Sequence, residues 1–281
     1  VLAESAVLSD ELVVENDSLH LERFLAKSYD KVYDELRNVT AQGHINATHD
    51  NDGVVRHGLM WLQLPDSNEK INSFAWVIYN KYCEIKGIEP NPMPKTDKNG
   101  FYYLPYTSLP GGFSDGISVA DILSGEIPED YFADKVVLIG PYAAGLQDQY
   151  ITSIDRAEPM YGVEIQANAI ASFMAGKSVS EFDENIQIAA LFLISLLCAM
   201  FFYDRKVILA TIVWLAVSGG WFGLCLYAYS EGVVLHSMWI PLSVTVLYII
   251  SMLVNYIAAA IEKRKITDTF KRYVDPAVIN E

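Results

Sequence analysis

The chain has 281 residues and a formal net charge of −15, and 52% of its residues are hydrophobic. The negative charge is concentrated in residues 1–185, which carry 29 acidic and 13 basic side chains. This excludes nucleic acid as a partner, because phosphate contacts need a basic surface. Cys83 is the only cysteine of that region, so an intradomain disulfide is excluded and an ordinary core must hold the fold.

The first predicted elements are a helix and a hairpin. Apolar residues recur near helical spacing over residues 17–37, and Asp17 or Ser18 is the expected N-cap. The Asp-Gly turn in residues 50–53 lies between two apolar segments, residues 43–46 and 54–61. This arrangement predicts a β-hairpin.

The next elements are predicted from caps and glycines. Ser67 is the expected N-cap of a helix over residues 68–85, and a long loop with a short strand at residues 101–106 should follow. Residues 118–125 begin with serine and end with glycine, which predicts a short helix.

An apolar strand and a helix complete the acidic region. Residues 135–140, Lys-Val-Val-Leu-Ile-Gly, predict a strand that is buried on both faces, as in a parallel sheet. Residues 162–175 predict a helix that stops at Gly176. A strand, a loop and a helix in that order indicate an α/β domain.

The loop after this strand is the predicted ligand site. Its glycines at 140 and 145 have P-loop spacing, but the Lys-Ser/Thr pair is absent, so phosphate binding is not predicted. Open α/β sheets still bind ligands at the carboxyl ends of their strands. We therefore select Asp148, with Tyr142 and Gln147, as candidate ligand-binding residues. The alternative is that Asp148 only ties the loop.

A second cluster is a candidate metal site. His44, Asp50, Asp52 and His57 are imidazole and carboxylate side chains within 14 residues, and such groups bind transition metals. The simpler interpretation, which we favour, is a polar turn without a metal.

Three apolar runs follow, at residues 186–203, 207–229 and 238–261. Each is long enough for a helix that crosses a bilayer. Basic residues stand between the first two runs and after the third, and the linker at 230–237 has none. The positive-inside rule then places residues 1–185 outside the cell and residues 262–281 in the cytoplasm of a multi-pass plasma-membrane protein. Export of residues 1–185 leads us to expect a signal sequence or a first transmembrane helix upstream.

Several ordered motifs resemble one known family. Residues 43–46 and 50–56 (Gly-His-Ile-Asn, then Asp-Asn-Asp-Gly-Val-Val-Arg) are similar to the bacterial CHASE-type extracellular sensor domain of the second type. The resemblance continues at residues 120–125, 135–140, 145–148 and 160–168, although Tyr161 and Gln166 replace the more common proline and histidine. It covers roughly residues 40–177 and implies a sensor followed by three transmembrane helices.

The C-terminal string at residues 270–279, Phe-Lys-Arg-Tyr-Val-Asp-Pro-Ala-Val-Ile, resembles the segment that precedes class III nucleotide cyclase domains. This resemblance implies a receptor adenylate cyclase that acts as a homodimer, with Mg²⁺ and ATP bound by a catalytic domain beyond residue 281. We expect no catalytic residue and no cofactor in residues 1–281, and an unknown extracellular ligand. The alternatives are a sensor module of a histidine or Ser/Thr kinase, a membrane-anchored partner-binding protein and, less favoured, a transporter subunit.

Overall fold

A computed structural model describes residues 1–15, 18–64, 69–113, 116–146, 148–203 and 205–273. The chain divides into two units, Val1–Ser180 and Glu181–Glu281, which are called the first and second unit below. Each unit is described by itself.

The helices and strands of the described residues have the following bounds. The first unit contains β1 (Leu2–Glu15), β2 (Ser18–Asp30), α1 (Asp34–Arg37), β3 (Gln42–His44), β4 (Val54–Val55), β5 (His57–Leu59), β6 (Trp61–Gln63), β7 (Lys70–Asn72), α2 (Phe74–Lys86), β8 (Phe101–Tyr103), α3 (Val119–Leu123), β9 (Gln149–Thr152), β10 (Met160–Tyr161) and α4 (Gly162–Met174). Strand β11 (Ser180–Glu181) lies at the boundary, and the second unit contains α5 (Glu184–Phe202), α6 (Val207–Ser230), β12 (Val233–Val234) and α7 (Trp239–Tyr273).

The first unit begins with a long antiparallel pair, β1 and β2, and β3 adds to β1 in parallel. The predicted helix over residues 17–37 is therefore wrong, except for the single turn α1. The spacing of Leu19, Leu21 and Leu25 also fits the period of two of a strand. Strand β1 provides the backbone hydrogen-bond partner that this strand needs. Ser18 begins a strand instead of capping a helix. Asp17 lies outside the described residues.

The turn around Gly53 is present, because the Asp50 N–H donates to the Val54 carbonyl at 3.0 Å and Gly53 has φ +78°. The hairpin predicted around it is wrong. Strand β4 pairs in parallel with β9, and β5 pairs antiparallel with β8. One isolated antiparallel bridge, Ala47 to Gly58, joins the two sides of the turn. Strands β4 and β5 therefore pair with strands from residues 101–152 and not with residues 43–46.

Helix α2 begins later than predicted. Ser73 is its N-cap, and its side chain accepts a hydrogen bond from the Trp76 N–H at 3.3 Å. Ile71, expected on the helix, lies in β7, and Ser67 is outside the described residues. Gly87 ends the helix in the left-handed conformation, with φ +64°.

Helices α3 and α4 confirm the sequence prediction. The Ser118 side chain caps α3 by accepting from the Ala120 N–H at 3.1 Å, and Gly125 follows with φ +78°. Helix α4 ends at Met174, two residues before Gly176. Local caps and glycines were sufficient to locate both helices.

The main core of the first unit lies between α2 and α4. Buried residues include Trp76, Tyr79 and Cys83 from α2 and Ile165 and Phe173 from α4. The Trp76 and Phe173 rings meet edge to face, with centroids 5.2 Å apart. Helices and small sheets, both parallel and antiparallel, confirm the α/β class.

The strand predicted at residues 135–140 is not formed among the described residues. The alternating exposure of its side chains is that of an extended chain, but the segment pairs with no strand in the described part of the chain. Val136 and Leu138 pack against the core, whereas Val137 and Ile139 are 48% and 82% exposed. The prediction of burial on both faces is wrong for these last two side chains.

In the second unit, α5, α6 and α7 are long and apolar enough to cross a membrane. They confirm the three predicted spans. Hydrogen bonds join α7 to both other helices: Ser243 to Ser195 at 2.8 Å, Thr245 to Trp214 at 2.9 Å and Ser251 to the Phe202 carbonyl at 2.8 Å. Helix α7 also continues beyond the predicted membrane boundary at residue 261, to Tyr273.

Candidate functional site

A cavity with a volume of about 380 Å³ lies beside the 136–140 segment of the first unit. Helix α3 contributes Val119 and Ile122, and the N-terminal turn of α4 contributes Val163 and Glu164. This volume is in the range of natural small-ligand sites, which are mostly apolar with a few placed polar groups.

Gly140 allows the 136–140 segment to pack closely against α4. A Cβ atom added at Gly140 would lie 2.9 Å from the Cβ atom of Val163, closer than carbon atoms pack without strain. A side chain at this position would push the segment away from α4 and change the cavity wall.

Two buried polar residues of α4 organise the neighbouring loop. Asn168 is fully buried, and its side-chain oxygen accepts from the backbone N–H groups of Thr107 and Ser108 at 2.8 and 2.9 Å. The Glu164 carboxylate accepts from the Gly111 N–H at 2.7 Å and from the Tyr161 N–H at 3.1 Å. These bonds hold residues 107–111, which lead to Phe113 in the cavity wall.

The three predicted ligand-binding residues have separate positions. Tyr142 lines the cavity, and its ring centroid lies 4.2 Å from that of Tyr161. Asp148 is not a lining residue; its carbonyl accepts from the Gly162 N–H at 3.0 Å, and its carboxylate lies beside Gly162. Gln147 lies outside the described residues. Ligand binding by Tyr142, Asp148 and Gln147 stays a prediction.

Three of the metal candidates, Asp50, Asp52 and His57, form an ion-pair network with Arg56. The guanidinium contacts Asp50 and Asp52 at 2.7 Å each, and Asp50 also contacts the His57 ring at 2.9 Å. The hydrogen bond from Arg56 lowers the pKa of Asp52 below its usual range, and the two carboxylates raise the pKa of Arg56. Arg56 thus supplies the positive charge that a metal would bring.

His44 does not join this network. It is 1% exposed, and neither ring nitrogen has a partner among the described residues. Burial lowers its pKa to about 3. His44 and His57 border a second cavity of about 20 Å³. Within the described ranges, no group of three His, Cys, Asp or Glu side chains is arranged to hold a metal ion.

Comparison with protein families matches the CHASE2 domain to residues 3–201. The chain belongs to the CHASE2 family. No curated protein and no solved structure matches it. The CHASE2 match begins in β1 and ends in α5, so it extends the resemblance found at residues 40–177 in both directions. The β1–β2 pair is therefore part of the CHASE2 domain, which is a sensor domain of signalling proteins.

Sequence reasoning missed the part that Glu164 and Asn168 play in the CHASE2 domain. Both lie in a stretch that resembles the family, but neither was selected as a site residue. A signal was present, because these two polar residues at i and i+4 fall on one face of a helix that is mostly apolar. Their partners, Gly111 and Thr107, are more than 50 residues away, so the sequence did not show what they hold.

Proposed function

We propose that the chain is the sensor and membrane module of a receptor adenylate cyclase. The observation that carries this proposal is the CHASE2 match, which runs into the first of three helices able to span a membrane. The C-terminal string at residues 270–279, which resembles the segment before class III cyclase domains, supports the choice of output.

The proposed orientation places the first unit outside the cell. Arg205 and Lys206 follow α5, and residues 263–265 are all basic. Basic residues near membrane helices favour the cytoplasmic side. In this orientation the acidic unit faces away from the cytoplasmic leaflet, whose anionic lipids would repel it.

Signal transfer would use α7. This helix is continuous from Trp239 to Tyr273 and is hydrogen-bonded to both α5 and α6. A ligand that prefers one packing of the three helices shifts the equilibrium toward it, by no more than the difference between its affinities for the two states. The C-terminal part of α7 would carry this change to the catalytic domains.

The proposed output needs partners outside residues 1–281. Class III cyclases place their sites at a dimer interface, so the receptor would be a homodimer. Mg²⁺ and ATP would bind the catalytic domain that we propose beyond residue 281. The CHASE2 domain would contribute ligand binding and the membrane helices would contribute coupling.

The test is cyclic AMP production by membranes that contain the full-length protein, compared with membranes that contain residues 1–281. We expect cyclic AMP from ATP only in the first case. Transfer of phosphate from ATP to a histidine or serine by the full-length protein would instead support the kinase alternative. Cyclic AMP production by residues 1–281 alone would contradict the proposal.

A further inference from the structure

The backbone of residues 136–140 has no hydrogen-bond partner in the part of the chain that the structure describes. The Lys135 N–H still donates to the Phe132 carbonyl at 3.3 Å, but among the described residues no hydrogen bond involves the backbone of the following five residues. Extended backbone with free N–H and C=O groups is a template for an added strand. The segment is β-branched or apolar up to Gly140, so its composition suits a strand.

The side chains of the segment alternate as strand addition requires. Val136 and Leu138 pack against the core, Val137 and Ile139 are 48% and 82% exposed, and all four line the cavity of about 380 Å³. Alternate side chains of an added strand would meet the same apolar wall. A peptide that binds here as an added strand should therefore have apolar residues at every second position.

Charge decides between a second copy of the chain and a different peptide. The first unit has 26 acidic and 13 basic side chains. Of the charged residues close to the segment in sequence, Asp121 and Asp130 are acidic, Asp134 is paired with Lys86 at 2.6 Å, and Lys135 lies over the Tyr131 ring. A second copy would bring the same excess of negative charge, whereas a basic partner would be attracted.

We propose that residues 136–140 bind an extended basic peptide with apolar side chains at alternate positions, as an added strand. The inference rests on the sensor role of the CHASE2 domain and names the ligand class of its cavity. Main-chain hydrogen bonds would supply affinity, and the cavity would select the apolar side chains.

The first experiment uses residues 1–281 in nanodiscs of zwitterionic lipid, with empty nanodiscs as background. The probes are fluorescein-labelled Lys-Val-Lys-Val-Lys-Val and Glu-Val-Glu-Val-Glu-Val. We expect saturable binding of the basic peptide, at least tenfold tighter than that of the acidic one, by fluorescence anisotropy. Hydrogen exchange should slow at the amides of residues 136–140 when the basic peptide is bound.

Two lysine variants test the location. Ile139→Lys adds a positive charge at the cavity wall, and Leu123→Lys adds the same charge on α3, at a side chain that is 83% exposed and not a lining residue. Ile139→Lys should weaken binding of the basic peptide at least tenfold, and Leu123→Lys should change it less than twofold. A basic peptide with an N-methylated backbone should also lose binding, because it cannot donate to the segment.

Three results would overturn the inference. The first is equal binding of both peptides or equal effects of both variants. The second is slow exchange at residues 136–140 without peptide, which would mean that another part of the chain covers them. The third is a concentration-dependent dimer that Ile139→Lys disrupts, which would make a second copy the occupant. Because no measurement here uses a cytoplasmic output, failure of the cyclase proposal would be seen separately.

Discussion

His44 combines full burial with two ring nitrogens that have no partner among the described residues. Its folded pKa is about 3, and its ordinary value is 6.5. Below pH 6.5 the unfolded chain takes up a proton that the folded chain does not bind. The free energy of unfolding should therefore fall as the pH drops from 6.5 toward 3.

The first prediction concerns this dependence. One such group changes stability by about 1.4 kcal/mol per pH unit, so from pH 7 to pH 5 His44 should cost the protein about 2 kcal/mol. Urea unfolding followed by circular dichroism should show this loss in the wild-type chain and in His49→Leu, which keeps His44. It should be absent in His44→Leu. Equal losses in all three proteins would contradict the prediction.

Asn168 provides the second prediction. Asn168→Ala leaves the N–H groups of Thr107 and Ser108 without their acceptor and should destabilise the first unit by about 2–4 kcal/mol. Asn51→Ala, at an exposed turn position, is the matched control and should change stability by less than about 0.5 kcal/mol. Urea midpoints measure both, and similar values would argue against a special role for Asn168.

The contact between the 136–140 segment and α4 provides the third prediction. Gly140→Ala should destabilise the first unit by about 1–3 kcal/mol, because the new Cβ atom would lie 2.9 Å from Val163. Gly145→Ala is the control, since no atom lies within 4 Å of its added Cβ. Adding Val163→Gly to Gly140→Ala removes the Cβ atom of residue 163 and should recover part of the loss in a double-mutant cycle. Strict additivity would show that the two positions are not coupled.

The helices and strands also show where local sequence patterns predict the wrong structure. Helices α3 and α4 have their own caps and glycine stops, and the sequence placed both. The apolar spacing in β2 predicts a helix, because this spacing contains no information on the partner strand β1. Strands β4 and β5 were assigned to a hairpin, although their partners β9 and β8 lie farther along the chain.

For the molecule as a whole, the proposed arrangement predicts which residues face the cell exterior. Leu123→Cys in α3 and Ile266→Cys in α7 place thiols at two exposed apolar positions. A membrane-impermeant maleimide applied to intact cells should label Leu123→Cys, and Ile266→Cys should react only after lysis. Native Cys83 is buried, so the parent chain should show little labelling of the first unit. The reverse pattern would contradict the proposed orientation.

Of the three predicted ligand-binding residues, the structure places one in the wall of a cavity and one outside it. Tyr142 lines the cavity, and Asp148 lies against Gly162 outside its lining. The wall formed by Val137 and Ile139 was expected to be buried inside a sheet. Whether a strand has a neighbour depends on segments far away in sequence, so burial could not be inferred from its apolar composition alone.

The amino-acid sequence by itself determined the three membrane-length helices, the acidic character of the first unit and the ends of α3 and α4. These features depend on hydropathy over about 20 residues, on charge, or on caps within one turn. Only the tertiary structure decided the partners of β1, β4 and β5, the burial of His44, the loop bonds of Glu164 and Asn168, and the exposed side of residues 136–140. Except for the β1–β2 pair, whose strands are consecutive in the chain, each of these needs groups that are distant in the chain to meet, and a linear pattern contains no information on which of them do.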